Sequence, residues 1–390
     1  DADIEKLIAE NQRLSEFEQK QVDNSVSQIE HDFPNHKVGK IYNAFDDGQI
    51  VNTKEDWDLR KVEIFKTAVE KQYGTIPPKP EVIKVDALYT SPINSTYKIT
   101  CGTKEKQLSF RLKLLLPNKA ENCPIIIDGD LCFHYVTEEG FISEATNNGI
   151  GWALFDRTEL ANDLPNEGRR HGPLYDIYRD YSFGAIGAWA WGYSVVCDAL
   201  EIIKHKRINL DYIVFTGHSR GAMLAGVLDD RAKIVNPNES CAGSCGCYRI
   251  HMKAEKNEEK IERSETLCDL ITNFGFWMGE EMEEYKEREQ DLPFDTHYLK
   301  ALVAPRILFV SEASHDIWSN PVGSLETTLA AKEVYKFLGC EKNILWYYRE
   351  GVHFHNKEDV SMLVNLILNQ TRNEKLNLNG CRMRKQRCKA

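Results

Sequence analysis

No stretch of the 390 residues is an unbroken apolar run of the ~18 to 20 residues that a membrane span requires. Positive charge is outnumbered, with 49 Lys and Arg against 60 Asp and Glu and a formal net charge of -11. That balance argues against sequence-independent nucleic-acid binding, for which a basic face is expected, and it implies mainly a well-solvated surface. The one basic run, Arg382, Arg384, Lys385, Arg387 and Lys389, reads as a solvated terminus. The chain also lacks internal repeats and a low-complexity linker. No signal peptide is expected within the given residues, whose start at Asp1 without Met reads as a mature or truncated form. Its 11 cysteines are an odd number without the spacing of a disulfide framework, so at least one thiol is free or pairs between chains. Cys241, Cys245 and Cys247 have the closest spacing, but no second pair lies nearby and Cys268 is the nearest fourth thiolate. A local disulfide or buried thiols are therefore expected ahead of a zinc site.

What the chain does have is Gly217-His218-Ser219-Arg220-Gly221. The β-branched and aromatic run Tyr212–Thr216 enters it, and the apolar run Ala222–Leu228 leaves it. A strand, a Gly-flanked serine and a buried helix in that order predict a nucleophile elbow, in which the sharp turn pushes the serine oxygen out above the sheet.

The rest of the chain reads as the alternation that builds a parallel sheet. Residues 97–100 and 107–116 predict antiparallel strands, and 124–127, 151–155, 232–235, 306–310 and 344–348 predict buried ones. Helices are expected near Asn52, acting as N-cap, to Gly74, over 185–205, and as a charged insertion over 255–290. Ile4, Leu7, Ile8, Leu14 and Phe17 suggest a helical extension over 1–40, followed by one catalytic domain over 41–375 and a basic tail over 376–390.

A serine hydroxyl needs a base, and the base needs a carboxylate to hold its tautomer. With such an elbow the chain order is Ser, acid, His. His353 lies just beyond the late apolar run and is the first choice for base, with His355 in reserve. Glu239 and Asp316 both follow strands and compete for the acid. Arg220 can donate to the oxygen on which charge develops. Trp318 and Trp277 offer flat faces for a sugar ring, and Arg169, in the polar loop 158–180, offers donors to substrate oxygens.

With these residues placed, the chain resembles the glucuronoyl esterases of carbohydrate esterase family 15. The likeness runs from about Asp46 to Leu368 and rests on Glu55–Arg60, Gly168–Pro173, Phe183–Gly192, Gly217–Gly221, Glu239-Ser240, Leu292–Asp295, Ala304–Arg306 and Asp316–Trp318. The resemblance implies an α/β-hydrolase fold, a three-layer sandwich around a mostly parallel sheet. It implies hydrolysis of esters joining 4-O-methylglucuronate on xylan to lignin alcohols, by a secreted or periplasmic enzyme, expected to be monomeric. The alternatives are an esterase for acetyl or other small acyl groups on polysaccharide and a non-catalytic carbohydrate-binding protein on a hydrolase scaffold. Neither metal nor cofactor, and no nucleic-acid or membrane partner, is expected. It implies Ser219 as nucleophile, His353 as base, Glu239 or Asp316 as acid and Arg220 as oxyanion donor. His218 before the nucleophile resembles the bacterial branch, since fungal members tend to have Cys there. The family usually reads Ser-Arg-x-Gly-Lys, with the Lys contacting the uronate, whereas here Ser219-Arg220 runs into Gly221-Ala222-Met223.

Overall fold

A computed structural model describes residues 46, 48–257 and 260–375. The predicted extension over 1–40 and the basic tail over 376–390 lie outside the described residues. The strands are β1 (Val82–Tyr89), β2 (Asn94–Gly102), β3 (Gln107–Leu115), β4 (Cys123–Asp128), β5 (Gly151–Phe155), β6 (Ile208–His218), β7 (Ala232–Asn238), β8 (Lys253–Asn257), β9 (Lys260–Arg263), β10 (Ile307–Ala313) and β11 (Ile344–Arg349). Nine of them form one sheet in the order β1-β2-β3-β5-β4-β6-β7-β10-β11, while β8 and β9 pair separately. β1, β2, β3 and β5 pair antiparallel in succession, and from β5 to β11 every neighbour is parallel.

Parallel neighbours require crossovers, and the crossover helices cover both faces of the sheet. Strands buried on both faces are apolar throughout, as in β4, where every residue is buried. Side chains alternate between two cores: Ile125, Ile127, Phe215 and Val235 join one, and Ile126, Val214 and Ile234 join the other. The first core takes the helices Ala185–Ile203, Ala222–Leu228 and Pro321–Phe337, and the second takes Phe141–Thr146 and Lys357–Arg372. Helix Ala185–Ile203 has the length and mean hydropathy to cross a membrane, yet 72% of its apolar window is buried inside the protein. At Gly226 a Cβ would stand 2.4 Å from Val235, so glycine is what lets the helix leaving the elbow lie directly on β7.

Three expectations change. Thr53, not Asn52, is the N-cap of helix Lys54–Ile64, and its capping box closes with Asp56. The segment 255–290 is not one helix. It opens with the β8–β9 hairpin and continues as helix Leu267–Phe274 and short 3-10 turns. Leu267, Leu270 and Ile271 give an apolar stripe at helical spacing to Leu267–Phe274 alone, whereas the charged run before it has no such stripe and pairs as a ladder. Edge strand β1 was not foreseen, because its half-buried pattern follows the Pro-rich 77–80 segment.

One core group makes stability depend on pH. His355 is fully buried between Tyr135 and Phe141, and neither ring nitrogen has a hydrogen-bond partner among the described residues. Burial, with Arg349 second, pushes its pKa down to about 3. The unfolded chain therefore binds this proton first, and the stabilisation is complete above the unfolded value near ~6.5 and is lost as pH falls toward 3. Roughly 2 kcal/mol should be gone by pH 5. Thermal melts between pH 7.5 and 5 should show a shallower loss of Tm in His355→Phe than in the wild type, whereas equal slopes would contradict this assignment.

Candidate active site

Ser219 lies between β6 and helix Ala222–Leu228 with φ +65°, in the left-handed region that a serine seldom occupies. Its N–H donates to Asn238 O at 2.8 Å, which ties the turn to the end of β7. The crowding expected on both sides of the elbow is found on one. A Cβ at Gly217 would stand 2.7 Å from the Tyr193 hydroxyl, whereas at Gly221 the same atom group is at ordinary contact distance.

Arg220 Nη1 donates to Ser219 Oγ at 2.9 Å, and its Nε donates to Ala242 O at 3.1 Å. Its Nη2 pairs with the buried carboxylate of Glu265. The guanidinium lies 4.5 Å from the ring centre of Trp277, which stacks on Phe274 at 4.0 Å. Trp277 is buried and its indole N–H donates to Asp163, so its ring supports Arg220 and offers no free face to a sugar. Arg169 is likewise committed, to Met278 O and Glu283 at 2.7 Å each, and braces the polar loop against the insertion. Of the three predicted substrate residues, only Trp318 keeps a large exposed surface, at 40%.

His353 follows β11 and is bonded through Nδ1 to Asp316 Oδ2 at 2.6 Å. Glu239 Oε2 stands further off, 3.4 Å from the same nitrogen. Both oxygens of Glu239 are already held, Oε1 by Arg349 and Oε2 by the Phe354 N–H, each at 2.7 Å. Burial first and Asp359 second push the Glu239 pKa up, with Arg349 pulling it back. Asp316 is thus the partner of the imidazole, and Glu239 braces the loop that carries it. Ser319 adds a hydroxyl 3.3 Å from His353 Nδ1. His355 is sealed in the core, its ring centre 6.2 Å from that of His218, and none of its contacts among the described residues reaches Ser219 or Asp316. Among the described residues no hydrogen bond joins His353 to Ser219 Oγ. Such bonds are often long before substrate arrives.

His218 Nδ1 lies 2.6 Å from Asn238 Oδ1, and its ring centre is 4.3 Å from that of His353. Burial, then His353 and His355, lowers its pKa well below the usual value, so it stays neutral. His218, Glu239 and His353 offer ligand atoms within 4.8 Å of one another, and of these the two histidine Nδ1 atoms and both Glu239 oxygens are engaged in the bonds just described. Cys241, Cys245 and Cys247 are free, buried thiols, and among the described residues they do not converge on a metal-sized cluster. Sequence reasoning missed Glu265 and Arg349. Both sit in segments whose charges carry no motif, and only the fold brings them to Arg220 and Glu239.

A left-handed serine at the end of a central parallel strand, with an Arg at its hydroxyl and a His–Asp pair after later strands, defines an α/β-hydrolase with a serine-hydrolase site. The fungal glucuronyl esterase family model matches residues 99–339, and the chain belongs to the glucuronoyl esterase family. The 4-O-methyl-glucuronoyl methylesterase of Hypocrea jecorina is 30% identical over 325 residues, covering 82% of this chain and 66% of that protein. Its counterpart from Wolfiporia cocos is 29% identical, covering 80% and 74%. This chain thus spans about two thirds of the length of the Hypocrea jecorina relative. Among solved structures, a carbohydrate esterase family 15 glucuronoyl esterase from Caldicellulosiruptor kristjansonii matches with TM-score 0.76 and 29% identity, covering 86% of this chain and 90% of that one. The Hypocrea jecorina catalytic domain matches with TM-score 0.70 and 27% identity, covering 88% and 91%. The bacterial branch suggested by His218 is not borne out, because the family model and these curated relatives are fungal, although a bacterial enzyme is among the structural neighbours.

Asp316→Asn should lower kcat by at least tenfold more than Glu239→Gln, read on any ester the protein turns over. The reverse order would make Glu239 the charge partner of the base.

Proposed function

We propose that the chain is a serine esterase that cleaves the ester between 4-O-methylglucuronate on xylan and lignin alcohols, through an acyl-enzyme. The observation that carries this is the convergence of Ser219 on its left-handed turn, Arg220 Nη1 at 2.9 Å from the hydroxyl and the 2.6 Å His353–Asp316 pair, in a member of this family. His353 takes the Ser219 proton as Oγ attacks the ester carbonyl, and Arg220 faces the oxygen that becomes negative. Collapse breaks the bond to the alcohol, which leaves with the proton from His353. Water then repeats the sequence at the acyl carbon and frees the uronate and Ser219.

Asp316 keeps the imidazole in the tautomer that presents its other nitrogen and stabilises the imidazolium. Arg220 is pre-oriented by Glu265, Ala242 O and Trp277, so little reorganisation remains when charge develops. Trp318, exposed beside Asp316, is the ring face for the sugar. A polymeric cell-wall substrate cannot enter a cell, which supports action outside the cytoplasm. The enzyme is read as a monomer acting without nucleic acid, membrane or cofactor.

A second reading, an esterase for acetyl or other small acyl groups, is favoured by the absence of a Lys after the elbow, where helix Ala222–Leu228 is apolar. Turnover of benzyl glucuronate and of an acetyl ester, each by wild type and Ser219→Ala, separates the readings. Glucuronate turnover lost by more than about 10³-fold in Ser219→Ala is expected. Turnover of the acetyl ester alone would favour the second reading, and activity of either ester surviving in the mutant would overturn the assignment of Ser219.

A further inference from the structure

The nucleophile's turn is strained, and the bonds that hold it come from an unexpected direction. The amide of His218, one residue before Ser219, donates to Asp130 Oδ2 at 2.7 Å. Asp130 follows β4, and it is bridged through the backbone to Asp156 after β5, so the ends of three adjacent strands meet here. The Tyr135 hydroxyl donates to the same oxygen at 2.5 Å, and the guanidinium of Arg157 pairs with Oδ1. Asp130, Arg157 and Tyr135 are all buried, at 0%, 2% and 2% exposure. Arg157 lies 5.0 Å from the ring centre of Phe133 and 4.5 Å from that of Trp189. Trp189 meets Trp277 edge to face at 6.0 Å, and Trp277 carries Arg220. Asp130, Tyr135 and Arg157 make no hydrogen bond to Ser219 Oγ among the described residues, and the triad chemistry does not require them.

We propose that Asp130 is a positioning residue for the hydrolysis: by accepting the His218 N–H it holds Ser219 in the left-handed conformation from which Oγ can attack. A non-glycine residue in that region costs of order 1–3 kcal/mol and persists only where its surroundings over-determine it. The Ser219 N–H bond to Asn238 O pins the turn from the β7 side, and the Asp130 bond pins it from the β4 side. Arg157 keeps the Asp130 carboxylate tolerable in the core, because a buried charge without a partner is strongly destabilising.

The inference rests on the esterase reading above, and the test separates the two. Two double variants both remove the buried charges and differ in whether an acceptor faces His218. Asp130→Asn with Arg157→Gln keeps a carbonyl oxygen there, while Asp130→Leu with Arg157→Met does not. The first should retain kcat within about threefold of wild type. The second should lose at least tenfold in kcat with KM within twofold, and labelling of Ser219 by a fluorophosphonate should slow in parallel. A misplacement of even about 1 Å at a reacting atom has effects of this size. Equal kcat in the two variants, each normalised to the folded fraction by circular dichroism, would overturn the proposal and leave the network a purely structural one. Hydrogen exchange of the His218 amide in the wild type is an independent reading that needs no variant to fold. Protection comparable to the β6 ladder is expected, and rapid exchange would contradict the bond. If wild type hydrolyses no ester, or Ser219→Ala retains turnover, the esterase reading fails whatever the exchange result.

Discussion

A serine held at φ +65° at the end of a buried parallel strand places a constraint on everything around it. The turn presents Oγ to Arg220 at the end of the strand because the backbone on either side is fixed. Tyr193 donates to Thr216 O just before the turn and accepts from Gly129 N, and it occupies the space a side chain at Gly217 would need. Asn238 O holds the Ser219 amide. The sheet order explains why these partners are available, since β4 and β7 flank β6 in register, so their carboxyl ends bring Asp130 and Asn238 to opposite sides of the turn. Ligand sites of open α/β sheets form at this edge for the same reason.

The electrostatics follow from burial. Arg220 is 4% exposed, and Glu265 and the Trp277 ring keep it in place beside the hydroxyl. A guanidinium held this way acts in a low dielectric, where its effect on a developing oxyanion is far larger than in water. The same logic governs Arg349, which joins Glu239 to Asp359 and donates to the Phe354 carbonyl, and thereby fixes the loop that carries His353. Removing one member of such a pair would cost on the order of 3–5 kcal/mol, because the other would stay buried without compensation. On the proposed reading, these buried pairs orient the base and the oxyanion donor before substrate binds.

The elbow was legible because its signal is local: strand-forming residues, a Gly-flanked serine and an apolar helix in succession. His353 and Asp316 could be read from their position after apolar strands, but the choice between Asp316 and Glu239 could not. It depends on a 2.6 Å contact against a 3.4 Å one, set by loops that meet across the sheet. Trp277 was misread for a related reason, since an aromatic residue's sequence neighbourhood does not reveal whether its ring faces solvent or a guanidinium. The cap of helix Lys54–Ile64 was displaced by one residue, from Asn52 to Thr53, because both can cap and only the Thr53–Asp56 reciprocity decides. Glu265, Arg349 and Asp130 were missed as functional neighbours, since each acts through a partner more than 40 residues away.

The central claim is that an ester acyl group passes through Ser219. Acid quenching of the wild-type protein during turnover of a glucuronate ester, followed by peptide mass mapping, tests it most directly. The account predicts a uronoyl adduct on the peptide that contains Ser219, at a hydroxyl that hydroxylamine frees. Turnover without any adduct on that peptide, or an adduct on another residue, would contradict it.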